Sequence, residues 1–218
     1  MRCNVLVGLS LLLVLSCTGS NDSLWLKADV PLEGEPACVW RILDHWDNLD
    51  DTVERGYAGP SIWEWTSETL PVRRIDTYGA LNEKLGINGV VLNNVNASPS
   101  VLDDPHLERV VRIADILRPH GIRVFLSVNF ASPSVLGGLP TSDPLDPQVI
   151  AWWHMKADRI YSLVPDFGGF LVKASSEGQS GPQDYGRTHT DGANMLADAL
   201  APYGGIVMWR AFVYSPGD

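Results

Sequence analysis

Short apolar runs separated by longer amphipathic stretches divide this chain into repeating units. Val39–Leu43, Gly89–Leu92, Arg123–Val128, Gly169–Val172 and Ile206–Trp209 read as strands. The stretches Pro71–Leu85, Pro105–Leu117, Pro147–Leu163 and Thr188–Leu200 read as helices. In the second of these, Leu107, Val110, Val111, Ala114 and Leu117 recur at three- and four-residue steps, while Glu108, Arg109, Arg112 and Asp115 take the opposite face. Asp104 and Pro105 start that helix and His120 and Gly121 stop it. A glycine precedes each later strand, at Gly86, Gly121, Gly168 and Gly204, with intervals of 35, 47 and 36 residues. That rhythm belongs to βα units and predicts a parallel sheet, and a run such as Val124–Val128 is apolar enough to be covered on both faces. Five units without a dinucleotide glycine fingerprint favour a barrel over a Rossmann sheet, so the expected fold is α/β, a partial (β/α)8 TIM barrel made of about its first five units. A complete barrel usually takes about 250 residues, and the apolar runs end near Asp218, so the sequence reads as a truncated barrel.

The first residues follow a different pattern. Arg2 gives a short positive region and Val5–Leu15 an apolar run too short to span a bilayer, which together read as a signal peptide over residues 1–16. The stretch Val14-Leu-Ser-Cys17 resembles the bacterial lipobox, which would make Cys17 a lipidated N-terminus and the sole link to a membrane. Residues 17–37 read as a tether and residues 38–218 as the barrel part. This predicts an exported protein, in a bacterial periplasm, on the cell envelope or outside the cell. With Cys3 removed and Cys17 acylated, Cys38 stands alone and no internal disulfide is expected. Of the 218 residues 45% are hydrophobic, enough for a core, and the net charge of -10 with only 16 basic residues argues against a nucleic-acid partner.

Candidate chemistry sits where the apolar runs end. The fourth run closes on Lys173 and, four residues later, Glu177, and a strand that drops polar side chains at its C-terminal end is how a barrel builds a site. Arg210 ends the fifth run, Asn93, Asn94, Val95 and Asn96 follow the second, and Trp46, Asp47, Asn48 and Asp50 follow the first. The asparagines serve equally well as turn formers. The five histidines show no metal-ligand spacing, and neither a P-loop nor a Gly-x-Ser-x-Gly elbow is present, so no metal and no cofactor is expected. Trp152 and Trp153 fall within a predicted helix and read as core.

The runs RILDHWDNLD at 41–50, ERGYAG at 54–59 and KASSEGQSGP at 173–182 resemble the signatures of glycoside hydrolase family 67, the xylan α-glucuronidases, and the match in order and spacing runs from Val39 to the C-terminus. The resemblance implies an inverting hydrolase that removes (4-O-methyl)-glucuronic acid α-1,2-linked to the terminal xylose of glucuronic-acid-substituted xylo-oligosaccharides. It implies Glu177 as general acid, Lys173 and Arg210 as ligands of the uronate carboxylate, Trp46 as a stacking platform, Val95 as a residue shaping the pocket, and Asn94 and Asp47 as site lining. For full-length members it leaves a homodimer open. The pattern departs from the family in lacking the later base carboxylates that inversion needs. Two alternatives follow: a catalytically inactive fragment that at most binds sugar, and a different barrel glycosidase in which Asp47, Asp50 or Glu54 opposes Glu177.

Overall fold

The computed structural model describes residues 38–56 and 59–211, so the signal peptide, the tether and Cys17 lie outside the described residues. Five strands, β1 (Ile42–Asp44), β2 (Gly89–Val91), β3 (Arg123–Val128), β4 (Gly169–Ala174) and β5 (Ile206–Ala211), form one parallel sheet in sequential order. Every neighbouring pair is parallel, with registers such as Ile42 opposite Gly89, Val91 opposite Phe125 and Lys173 opposite Arg210. Sequential order without a reversal is barrel topology; a doubly wound sheet would change direction at a switch point. Helices α1 (Val72–Lys84), α2 (Asp104–Leu117), α4 (Pro147–Leu163) and α5 (His189–Leu200) make the crossovers, and a four-residue helix, α3 (Ser132–Val135), precedes α4.

Three of the helices, α2, α4 and α5, begin where a side-chain cap dictates. Asp103 accepts from the His106 amide at 3.0 Å, Asp146 accepts from the Gln148 amide at 2.7 Å with Pro147 behind it, and Thr188 and Asp191 form a reciprocal capping box. The cap of α2 is thus Asp103, one residue before the expected start. Gly121, at φ 69°, ends the turn after α2. Strand β1 is shorter than its apolar run because the Asn88 side chain satisfies that stretch of backbone: its amide donates to the Val39 carbonyl at 2.7 Å and its oxygen accepts from the Arg41 amide at 2.8 Å.

Alternation along the strands sorts their side chains into two cores. One set, Val90, Leu92, Val124, Leu126, Val128, Phe170, Val172 and Ala174, packs outward against the helices with Trp152 and Trp153, so the tryptophan pair is core. The other set, Ile42, Val91, Phe125, Leu171, Ile206 and Met208, packs inward with Val95. Phe125 fills the concave side because Gly89 and Gly168 leave room for its ring; a Cβ at either would come within 2.8 Å of it. Continuing the inward parity by two residues places Asp44, Asn93, Ser127, Lys173 and Arg210 on the concave face at the C-terminal ends of their strands, on rungs that step forward from β1, where Asp44 pairs with Val91, to β4 and β5, where Lys173 pairs with Arg210.

Two outer contacts fix the crossovers. Arg109 of α2, buried, donates to the carbonyls of Trp63 at 2.9 Å, Ser67 at 2.6 Å and Thr69 at 3.2 Å, and to that of Glu64, stapling the long β1–α1 loop to the helix layer. His120 lies across α1 where Gly79 has no side chain, and its ring nitrogens meet Glu83 and Asp76, each at 3.0 Å. Glu83, then Asp76, hold the His120 imidazolium above its ordinary titration range. A raised folded value means that this stabilisation is complete below about pH 6.5 and is lost as pH rises through the folded value. Because both carboxylates are more than half exposed, screening limits the effect to about 1 kcal/mol, or about 2–4 °C in melting temperature. Melting curves between about pH 6 and 9 are expected to show the wild type losing this margin over His120→Gln as pH rises; a pH-independent gap would reject the ion-pair account.

Candidate active site at the strand termini

Lys173, at the inward-facing end of β4, is 4% exposed. Its Nζ donates to Asn96 Oδ1 at 2.8 Å and pairs with the Glu177 carboxylate. Two carboxylate-binding candidates therefore stand side by side, since Lys173 is in register with Arg210. Like charges directly opposite on a sheet are destabilising, so such a pair persists where anions offset it.

Glu177 reaches Lys173 because the chain reverses immediately after β4. Ser175 (φ 52°) and Glu177 (φ 49°) both adopt left-handed backbone, followed by Gly178 at φ 80°. Such conformations cost non-glycine residues free energy and survive only where the surroundings over-determine them. Here a Ser176–Gln179 bridge closes the turn, the Ser175 hydroxyl donates to Gln183, Gly181 backs onto Ser175 so closely that a Cβ would overlap its Oγ, and Asn129 from the end of β3 donates to Gln179 Oε1 at 3.1 Å. The Glu177 side chain is 60% exposed. A carboxyl that keeps its proton near neutral pH is desolvated or flanked by anions; this carboxylate is instead solvated and paired with a cation.

After β1 the side chains alternate between site and scaffold. His45 Nε2 meets the Tyr78 hydroxyl at 2.8 Å and Nδ1 faces Asp47 Oδ2 at 3.3 Å, while Asp47 Oδ1 accepts from the Ile62 amide at 3.2 Å. Burial pushes the Tyr78 phenol well above its usual value. Asp44 and Trp46 share the other side, where the Asp44 carboxylate accepts a hydrogen bond from the Trp46 side chain and feels the charge of Arg210. Desolvation raises the Asp44 pKa; Arg210, Trp46 and His45 oppose it. Asp44 is nonetheless exposed to solvent, which limits that shift. That an edge strand senses Arg210 on the opposite edge reflects the curl of the sheet.

After β2, Asn93 extends the ladder with its side chain, donating to the Ser127 carbonyl and accepting from the Ser127 amide, both at 2.9 Å. Asn94 is buried and donates to Asn48 Oδ1 at 2.9 Å and Glu54 Oε2 at 2.6 Å. Val95 turns into the inward core. A cavity of about 270 Å³ opens between these loops, lined by Asp47, Asn48, Leu49, Asp50, Asn93, Asn94, Asn96, Ala97 and Ser98. Asp47, Asp50 and Glu54 all hydrogen-bond within the loop fold, the second by accepting from Thr52 at 2.6 and 3.0 Å. Among the described residues no cluster of three or more His, Cys, Asp or Glu side chains could hold a metal ion, and no helix is long and apolar enough to cross a membrane.

The rim thus gathers Asp44, Trp46, Asn96, Lys173, Glu177 and Arg210 from β1, β2, β4 and β5. Residues 26–218 match the model of the glycosyl hydrolase family 67 middle domain. The chain belongs to glycosyl hydrolase family 67. It is 53% identical over 181 residues to the probable alpha-glucuronidase A of Neosartorya fischeri, covering 82% of this chain and 21% of that protein. It is 51% identical over 186 residues to the alpha-glucuronidase of Hypocrea jecorina, covering 82% of this chain and 22% of the other. To the probable alpha-glucuronidase A of Aspergillus terreus it is 48% identical over 188 residues, 86% and 22% of the respective chains. The family 67 chain therefore spans about a fifth of the length of these relatives. Asp44, Asn129 and Gln179 join this candidate site from positions that the apolar runs alone do not mark; the inward parity of β1 is the signal that finds Asp44.

Proposed function

We propose that this chain carries the acid and the uronate clamp of an α-glucuronidase acting on the α-1,2 bond between (4-O-methyl)-glucuronic acid and the terminal xylose of xylo-oligosaccharides, with inversion. The observation that carries this reading is the registered pair of cations, Lys173 and Arg210, with Lys173 buried at the mouth. A guanidinium fork and an ammonium side by side suit a carboxylate and leave a neutral hexose with no equivalent attraction. Glu177, adjacent, is the proton donor to the xylose oxygen, and Trp46, held through its side chain by Asp44, offers its ring to the sugar face. Val95, Asn94 and Asp47 shape the wall beside them. Inversion needs a base carboxylate about 6.5–9.5 Å from the acid; since Asp47, Asp50 and Glu54 are committed to loops, this reading places the base outside the described residues.

Support for the substrate class comes from the relatives named alpha-glucuronidase. Export through residues 1–16, and placement outside the cell, belong to the same proposal, with lipidation at Cys17 as its finer form. Calorimetric titration with aldotriouronic acid and with xylotriose tests the reading. The acidic sugar is expected to bind and the neutral one not, and Lys173→Met is expected to weaken the acidic sugar by about 10- to 100-fold, the worth of a charge-assisted hydrogen bond. Equal binding of both sugars would sink it.

A further inference from the structure

Lys173 faces two claims on one ammonium. It is satisfied by Asn96 at 2.8 Å and by Glu177. Its side chain is 3% exposed and that of Glu177 60% exposed, so the carboxylate lies over the ammonium on the solvent side. A uronate approaching from solvent meets Glu177 at the position it needs. Displacing Glu177 takes a cation away from that carboxyl and puts an anion beside it, and both changes favour the protonated form.

We propose that the substrate's own carboxylate replaces Glu177 on Lys173 and thereby turns Glu177 from a paired carboxylate into the proton-bearing acid of the reaction. This deepens the α-glucuronidase reading and rests on it. The proton is taken from solvent by the Glu177 carboxylate as it leaves Lys173, and passes to the xylose oxygen as the glycosidic C–O bond breaks. A neutral glucoside leaves the Lys173–Glu177 pair closed and the acid unloaded, so selection for uronates acts on turnover as well as on binding. The other groups facing the pair are Arg210, in register with Lys173 on β5, and Asp44 on β1, which senses Arg210; the neighbouring loops of β2 and β3 contribute the neutral Asn96 and Asn129, and the turn itself Gln179.

Calorimetry with glucuronate at about pH 5, in two buffers of different ionisation enthalpy, reads the proton directly and requires no turnover. The wild-type chain is expected to take up close to one proton per glucuronate bound, and Glu177→Gln to take up almost none while binding at least as tightly, because the neutral amide competes less for Lys173. Glu177→Ala provides the same comparison should the glutamine form fold poorly. Binding by the wild type without proton uptake overturns the switch and leaves the α-glucuronidase reading standing. Uptake that persists in Glu177→Gln also overturns it, and assigns the proton to the facing Asp44. Absence of glucuronate binding by the wild type overturns both.

Discussion

Glu177→Gln is expected to slow release of glucuronic acid from an unactivated xylosyl aglycone by about 10²- to 10⁴-fold, the usual worth of a general acid. The amide preserves size and still accepts from Lys173, so the turn after β4 should survive. What it cannot do is supply a proton to a leaving alkoxide. A glucuronoside whose aglycone departs readily as an anion does not need that proton, and its hydrolysis should fall far less, by no more than about 10-fold if proton donation is the whole role. Comparing kcat/KM for the two substrates checks the assignment. Equal losses on both would show that Glu177 binds or positions without donating, and the mechanism would need another acid.

Gly169→Ala is expected to be the most destabilising single methyl in the sheet. Gly169 sits at φ 133°, a backbone conformation that L residues rarely adopt, and a Cβ there would stand 2.0 Å from the Ile206 carbonyl oxygen across the β4–β5 ladder. Strain of about 1–3 kcal/mol from the dihedral adds to the steric overlap, for a total of about 4 kcal/mol or more. The site would suffer too, because the same ladder sets Lys173 opposite Arg210. Denaturant unfolding measures the first effect and uronate affinity the second. A loss below about 1 kcal/mol would mean that β4 and β5 can separate without penalty and that their register does not define the clamp.

The parts of this molecule legible from sequence are those specified by neighbours in the chain. The starts of α4 and α5 follow from Asp146 and Thr188, and that of α2, to within one residue, from Asp103; their side chains bond amides two or three residues away. The start of β1 was not legible, because Asn88, far along the chain, satisfies the Val39 and Arg41 backbone in place of a ladder. The site divides along the same line. Lys173 and Glu177 stand out as charges at the end of an apolar run, yet in continued extended chain they would lie about 13 Å apart, and only the left-handed pair Ser175 and Glu177 brings them together. Asp44 needed the parity of β1 against its neighbours, which a three-residue strand does not announce. Asn129 joins the candidate site through Gln179, fifty positions away, and through the Ala97 carbonyl, thirty-two away.

The turn after β4 also sets stability against chemistry at a single position. Judged by backbone comfort alone, residue 177 at φ 49° calls for glycine or asparagine. A stabilising redesign that obeyed local preference would therefore choose Glu177→Asn or Glu177→Gly, gain some rigidity, and discard the proposed acid in the same step. In a library of family 67 variants selected only for thermal tolerance, position 177 is where the survivors would be expected to fall silent.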